Sequence, residues 1–397
     1  MANDYLNAAR GVEKDLTQFL RDIIAIPSLS GEEGPVVERI KKEMQKLGYD
    51  EVTVDPMGNL IGRIGNGPAI IAIDGHVDIV DVGERAHWNT PPFDPVLRDG
   101  VIYGRGASDM KGGVASAVYA GALLKQQGFP EGATLYVTAT VQEEDCDGLC
   151  WQYIYKEDKI RPDVVVITEP TSLRIYRGHR GRMEMEITTQ GVSCHGSAPE
   201  RGVNAVYRMA PIIQDIEKLN ERLPPREPLG KGTITISQIR SQSPSLCAVA
   251  DGCTIHLDRR LTMRETEETS VKELSELPSV QSSEATVKVL EYMVPSYTGL
   301  IYPTKKYYPT WEMPESEPAI RRAQAAYTAT FQEKPTMGHW TFSTNGVATA
   351  GMFNIPTVGF GPGHEHFAHA ANEQVEVEHL VRATAFYASF VKEYVKP

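Results

Sequence analysis

The apolar run Ala69-Ile70-Ile71-Ala72-Ile73 ends in Asp74-Gly75-His76-Val77-Asp78, and this junction constrains the chain more than any other. The run has the length and β-branched content of a buried strand, so the polar residues that follow emerge at its carboxyl end. A neutral imidazole is a good ligand for zinc, and a carboxylate two residues away can hold the ring or act on substrate. On its own the pair has a plainer reading, a histidine hydrogen-bonded after a strand. Other strand ends change that balance.

The first 180 residues repeat the same rhythm. Asp4 to Ile26 carries Phe19, Leu20, Ile23 and Ile24 at helical spacing and stops at Pro27. A second helix opens near Gly31-Glu32-Glu33 and takes in Val36, Val37, Ile40 and Met44. Strands at 69–74, 133–141 and 164–168 alternate with helices, including an Ala-rich one over 112–127, which predicts an α/β sheet with helices on its faces. Chemistry in such folds collects beyond the carboxyl ends of the strands, where His76, Glu143, Glu144 and Glu169 fall.

After Gly178 the pattern changes. Met183, Met185 and Ile187 alternate with Glu184, Glu186 and Thr188, as in a strand with one wet face. Helices at 204–223 and 266–277 and strands at 233–239, 254–261 and 285–291 complete a βαββαβ unit with its own core. The expected organisation is a catalytic domain of residues 1–179 and 295–397 interrupted by a domain of residues 180–294. Helices at 315–330 and 375–394 and a strand at 356–360 belong to the catalytic part.

Composition narrows the function. The 397 residues are too many for one ordinary core, and 41% hydrophobic with 23% charged residues describes a soluble globular protein. A formal net charge of -12 offers no basic stripe to neutralise phosphates, which argues against nucleic acid and anionic membranes as partners. No apolar stretch has the length to cross a bilayer, and Met1-Ala2-Asn3-Asp4-Tyr5 lacks a basic segment followed by an apolar one. Five cysteines without a Cys-x-x-Cys make a disulfide framework a poor fit and a cytoplasmic location a good one. Cys194 precedes His195, but neighbours on an extended segment face opposite ways, so the two do not read as a catalytic pair.

Gly104-Arg105-Gly106-Ala107-Ser108-Asp109-Met110-Lys111-Gly112-Gly113 is a glycine-dense loop opening a helix. Its spacing matches neither phosphate-binding fingerprint, and Asp109 at its centre would repel phosphate. The glycines read better as close packing that presents Asp109 to a cation, with capping of the following helix as the alternative. Val141-Gln142-Glu143-Glu144-Asp145 and Thr168-Glu169-Pro170 place further carboxylates after strands, and residues 361–369 add His364, His366 and His369.

In order, His-x-Asp at 76–78, Gly-Arg-Gly-x-x-Asp-x-Lys-Gly-Gly at 104–113, Glu-Glu at 143–144, Thr-Glu-Pro at 168–170 and Ala-His-x-x-Asn-Glu at 368–373 resemble the M20 di-zinc amidohydrolases and peptidases. That family includes acetylornithine deacetylase, succinyl-diaminopimelate desuccinylase, aminoacylase-1 and glutamate carboxypeptidase. Pro295-Ser296-Tyr297-Thr298-Gly299 is similar to its YgeY-like, selenium-metabolism-linked subgroup. The resemblance implies a zinc-exopeptidase-like catalytic α/β sheet domain with an inserted βαββαβ, ferredoxin-like lid that also forms a homodimer. It implies two zinc ions per subunit, with cobalt or manganese as substitutes.

The resemblance also assigns residues. His76, Asp109 and Glu169 would bind one ion and Asp109, Glu144 and His369 the other, with Asp109 bridging. Asp78 would orient His76, and Glu143 would be the general base. His364 and His366 compete with His369 for the ligand role, and the Ala-His-x-x-Asn-Glu match favours His369. From the lid, His195 would reach the active site of a partner subunit and stabilise the oxyanion, and Asn204 would lie near substrate. Arg260 would grip a substrate carboxylate; Arg259 faces the other way, so only one of the two can serve. Arg264 stands where family members often have glycine, a departure that affects the turn. Ser343 and Gly361 are candidate substrate contacts, with plain turns as the alternative.

The chemistry is coherent beside the resemblance. Zinc takes imidazole nitrogen and carboxylate oxygen, and two such ions ~3.5–4 Å apart lower the pKa of a water between them. Glu143 would take that water's proton and deliver it to the leaving nitrogen. The expected activity is hydrolysis of a linear amide in a small N-acyl or N-carbamoyl amino acid. A di- or exopeptidase is the alternative, and a metal-retaining homologue that binds an amino acid without turnover is a third reading, against which the intact Glu143 argues.

Overall fold

The computed structural model describes residues 4–396. They form two units, one comprising the chain up to Gly178, residues 293–302 and the stretch from Glu312 onward, the other residues 179–292 and 303–311.

The first unit is built on a mixed sheet. Four parallel strands at its centre run in the order Ala133–Thr140, Ala69–His76, Val164–Ile167 and Thr357–Gly359. Antiparallel strands Leu60–Gly65 and Glu51–Val54 extend it on one side. The helix Lys111–Gln127, buried from Lys111 to Leu124, packs on the strand Ala69–His76 and against the closing helix Val377–Tyr394. Phe360 and Phe386 stack with ring centroids 3.8 Å apart, and each buried ring of this kind contributes ~1.5–3 kcal/mol.

Several boundaries differ from the sequence expectation for local reasons. The first helix is two, Asp4–Gly11 and Glu13–Ile24, interrupted at Val12 just after Gly11, a residue costly inside a helix. The second helix starts at Gly34 rather than near Gly31, because Gly31 takes φ +86 and Pro35 suits the first helical turn. The strand that begins at Ala69 runs through His76, and the closing helix starts at Val377 because Gln374–Glu376 pairs as a short strand with Val101–Tyr103. Leu149–Lys156 is a helix and Val347–Met352 a π-helix, neither of which the spacing announced.

The inserted unit has strands Gly181–Gln190, Thr233–Gln242, Gly252–Leu261 and Thr286–Val289 and helices Ala205–Arg222 and Glu267–Ser275. The sheet order is second, third, first, fourth, with every pair antiparallel, which is the ferredoxin-like βαββαβ arrangement. Met183, Met185, Ile187, Ile255 and Leu257 face the helices' Met209, Ile212, Ile216 and Leu274. Thr266 opens the second helix with a capping box to Thr269. Tyr307 and Tyr308 pair with Met183 and Arg182, which brings residues 303–311 into this unit. Among the described residues no helix is long and apolar enough to cross a membrane.

Candidate metal centre

Strand register gathers the site. His76 lies opposite Thr140 and Asp74 opposite Ile167, so His76, Val141–Glu144 and Thr168–Glu169 leave one edge of the sheet together. Asp109 arrives from the loop before Lys111–Gln127, with a cis Asp109–Met110 peptide, and His369 from the segment before Gln374–Glu376. Two glycines permit this crowding. A Cβ on Gly113 would sit 2.4 Å from the Thr168 carbonyl oxygen, and one on Gly361 would sit 2.2 Å from that of Glu169. The helix opening and the 361–363 loop therefore press directly on the main chain that carries Glu169.

His76 is buried, and its Nδ1–H donates to the Asp78 carbonyl at 2.9 Å. That bond leaves Nε2 aimed at three carboxylates: Asp109 Oδ1 at 3.2 Å, Glu169 Oε1 at 3.4 Å and Glu143 Oε2 at 3.8 Å. The other oxygen of Asp109 lies 3.4 Å from His369 Nε2, which is 2.8 Å from Glu144 Oε2. Asp109 thus offers one oxygen to each half of the cluster. Glu143 Oε1 and Glu169 Oε2 are buried and make no hydrogen bond.

The electrostatics are those of a cluster short of positive charge. Burial pushes the Glu144 carboxyl up to about 7 and that of Glu169 up to about 8, the charge of Asp109 adding to each. Burial holds Glu143 well above the usual range, with Asp147, Glu169 and Glu144 contributing against the pull of His76. The hydrogen bond to Glu144 lifts His369 to about 9, and at His76 bonds to Asp109, Asp78 and Glu169 outweigh burial and raise it strongly. A ring nitrogen facing three carboxylates, two of them with orphaned oxygens, fits divalent cations that would take the place of its proton between nitrogen and oxygen donors.

The remaining candidates fall elsewhere. His364, Glu376 and His379 form a separate group in the same unit. His364 Nδ1 accepts from Ser172 Oγ at 2.7 Å, its Nε2–H donates to Glu376 at 3.2 Å, and His379 Nδ1 accepts the Gly363 N–H at 3.1 Å. His366 stacks on His364, so of the three late histidines His369 is the one that reaches Asp109 and Glu144. Ser343 donates to Asp147, whose charge faces Glu143.

Within the inserted unit, His195 is exposed, its Nδ1 2.7 Å from Ser197 Oγ. Asn204 caps its helix by accepting from Val206 and Tyr207. Arg259 is buried against Glu265 and Glu273, each at 3.0 Å, whereas Arg260 is partly exposed beside Asp258. Arg264 sits at φ +68, the left-handed conformation that glycine adopts without strain.

Sequence reasoning missed Glu373 as a support. It accepts the N–H groups of Gly106, Ser108 and Asp109 at 2.8 to 2.9 Å and pairs with Arg105 at 2.7 Å, fixing the Asp109 loop. Its signal was the Asn-Glu pair closing the last motif.

A mixed α/β sheet with histidine and carboxylate donors at the carboxyl ends of its parallel strands, in a chain interrupted by a ferredoxin-like unit, defines a hydrolase architecture with a candidate metal centre. The chain belongs to peptidase family M20/M25/M40, which its sequence matches over residues 72–393, and it is a hydrolase acting on C–N bonds. It is 51% identical over 384 residues to the uncharacterized protein YgeY of Escherichia coli K12, covering 97% of this chain and 95% of that one. A probable succinyl-diaminopimelate desuccinylase of Staphylococcus epidermidis is 34% identical over 214 residues, 52% of each chain. The fold is similar to that of Bacillus subtilis YXEP, a dinuclear metal-binding peptidase of family M20, with a TM-score of 0.69 at 14% identity, covering 96% of this chain and 98% of that one.

Proposed function

We propose that this chain is a di-zinc hydrolase that cleaves the linear amide of a small N-acyl or N-carbamoyl amino acid. The observation that carries the reading is the Nε2 face of His76, turned toward Asp109, Glu169 and Glu143. His76, Asp109 and Glu169 would hold one ion, and Asp109, Glu144 and His369 the other. Such ions supply Lewis acidity and lower the pKa of water at the site. Glu143, with no hydrogen bond to Oε1, is placed to accept a proton from that water and return it to the leaving nitrogen. The Asp78 main-chain carbonyl keeps His76 in the required tautomer through the Nδ1 bond, while the Asp78 carboxylate accepts the Glu143 and Glu144 N–H groups.

Arg260 would receive the carboxylate of the amino acid and Asn204 would stand near it, with Gly361 and Ser343 shaping the wall. His195, exposed with its ring against Ser197, would complete the oxyanion site of a partner subunit in a cytoplasmic homodimer. The desuccinylase similarity favours an N-acyl substrate, and the likeness to YXEP supports an exopeptidase as the second reading.

The test is turnover by protein supplied with zinc, cobalt or manganese, assayed on N-acetyl, N-succinyl and N-carbamoyl amino acids and on dipeptides. Cleavage confined to dipeptides moves the assignment to exopeptidase, and no cleavage of any of them by metal-loaded protein overturns it. Glu143→Gln should keep both ions and lose ~10²–10⁴-fold in rate.

A further inference from the structure

Four consecutive backbone N–H groups, those of Val141 to Glu144, donate to side-chain oxygens from other segments. Val141 donates to Asn59 Oδ1 at 3.1 Å, Gln142 to Glu33 Oε1 at 3.0 Å, Glu143 to Asp78 Oδ1 at 3.2 Å and Glu144 to Asp78 Oδ2 at 3.0 Å. Glu33, Asn59 and Asp78 are each wholly buried. Burying three such groups is costly unless they are bonded, and here their acceptor oxygens converge on the one segment that carries Glu143 and Glu144.

The supports are themselves supported. Asn59 Nδ2 donates to Asp55 at 2.7 Å, and Ser30 Oγ donates to Asp78 at 2.7 Å. Gln142 takes φ +57, a left-handed conformation that a non-glycine residue keeps only when its surroundings impose it. Glu33 holds its backbone, and the Gln142 side chain donates to the Pro295 carbonyl at 3.3 Å.

We propose that Glu33 and Asn59 are positioning residues for the base Glu143 and the ligand Glu144, acting through the main chain without touching substrate or metal. The inference rests on the assignment of Glu143 and Glu144 made above. Burial, with the charge of Asp78 adding, holds the Glu33 carboxyl up to about 8. It is therefore mostly uncharged at neutral pH, and an amide oxygen at the same place accepts the Gln142 N–H as well.

The experiment compares Glu33→Leu, Glu33→Gln and Asn59→Ala for kcat, KM and the affinity of the chelated protein for each zinc ion by calorimetry. Loss of a residue that orients a metal-site group typically costs ~10–100-fold in metal affinity or activity. Glu33→Leu and Asn59→Ala should lower kcat by that factor with KM within about twofold, and weaken one of the two ions and not the other. Glu33→Gln should restore both quantities to near wild type. The proposal is overturned if the folded Leu or Ala variant keeps kcat and both affinities within twofold, or if Glu33→Gln is as damaged as Glu33→Leu. If Glu33→Leu does not fold, Asn59→Ala and Glu33→Gln decide by the same readings. Undiminished turnover by Glu143→Gln would instead remove the assignment of the base, so the two failures are distinguishable.

Discussion

The first unit holds two groups of histidines and carboxylates, and they differ in how many carboxylates crowd each ring nitrogen. His364, Glu376 and His379 have the donor types of a metal site, yet their close contacts are complementary: Ser172 and Gly363 donate to ring nitrogens, and Glu376 accepts from His364. Around His76 three carboxylates crowd a single ring nitrogen, more acceptors than one N–H can serve, and two of their oxygens are orphaned. Donor types and spacing cannot separate the groups. What separates them is how many carboxylates converge on one ring nitrogen, three at His76 Nε2 and one at His364 Nε2, and this is also what a mutation can test.

The largest effect belongs to Asp109, which faces both halves of the first group. Asp109→Asn should cut bound zinc from two ions per chain to one or none and abolish turnover, as read by elemental analysis and assay. Two ions retained would end the bridging assignment. His369→Ala should remove one ion and leave the other, whereas His364→Ala should remove none. If both variants lost an ion, the comparison itself would be wrong.

Acidity should separate the groups as well. Cations bind deprotonated ligands, and without metal Glu144, Glu169 and His369 sit at about 7, 8 and 9. Zinc loading should therefore release protons near neutral pH, and affinity should fall as pH drops through that range. Calorimetry in buffers of different ionisation enthalpy reads the proton count; a count of zero at pH 7 would contradict the scheme.

Much of the first group was legible in the chain because the Ala69–Ile73 run names its strand and the strand names its edge. His369 was legible only through the Ala-His-x-x-Asn-Glu resemblance, since three histidines within six residues offer no spacing to choose among them. Glu33 and Asn59 carried no signal: each reaches its partner across more than eighty residues, and nothing local distinguishes it from a surface polar residue. Leu60–Gly65 hid for a related reason. Its Gly62 breaks the apolar run, and the structure needs it because a Cβ there would meet Met44 and Tyr49 within 2.8 Å.

The smallest effect tests the second group alone. The hydrogen bond from His364 holds the Glu376 carboxyl down at about 2, below its usual value, despite opposing burial. A carboxyl depressed in the folded state contributes stability above the unfolded value and loses it as pH falls toward the folded one. With Glu376 about one-third exposed, solvent screening keeps that contribution to no more than ~1 kcal/mol. Glu376→Gln should therefore cost at most that amount in urea unfolding at pH 7, with the gap narrowing only as pH is lowered from about 4.5 toward 2. Zinc content should stay at two ions and kcat within about twofold. Should wild type bind three ions and this variant two, the second group would prove compatible with a cation, and the number of carboxylates around a ring nitrogen would no longer tell the groups apart.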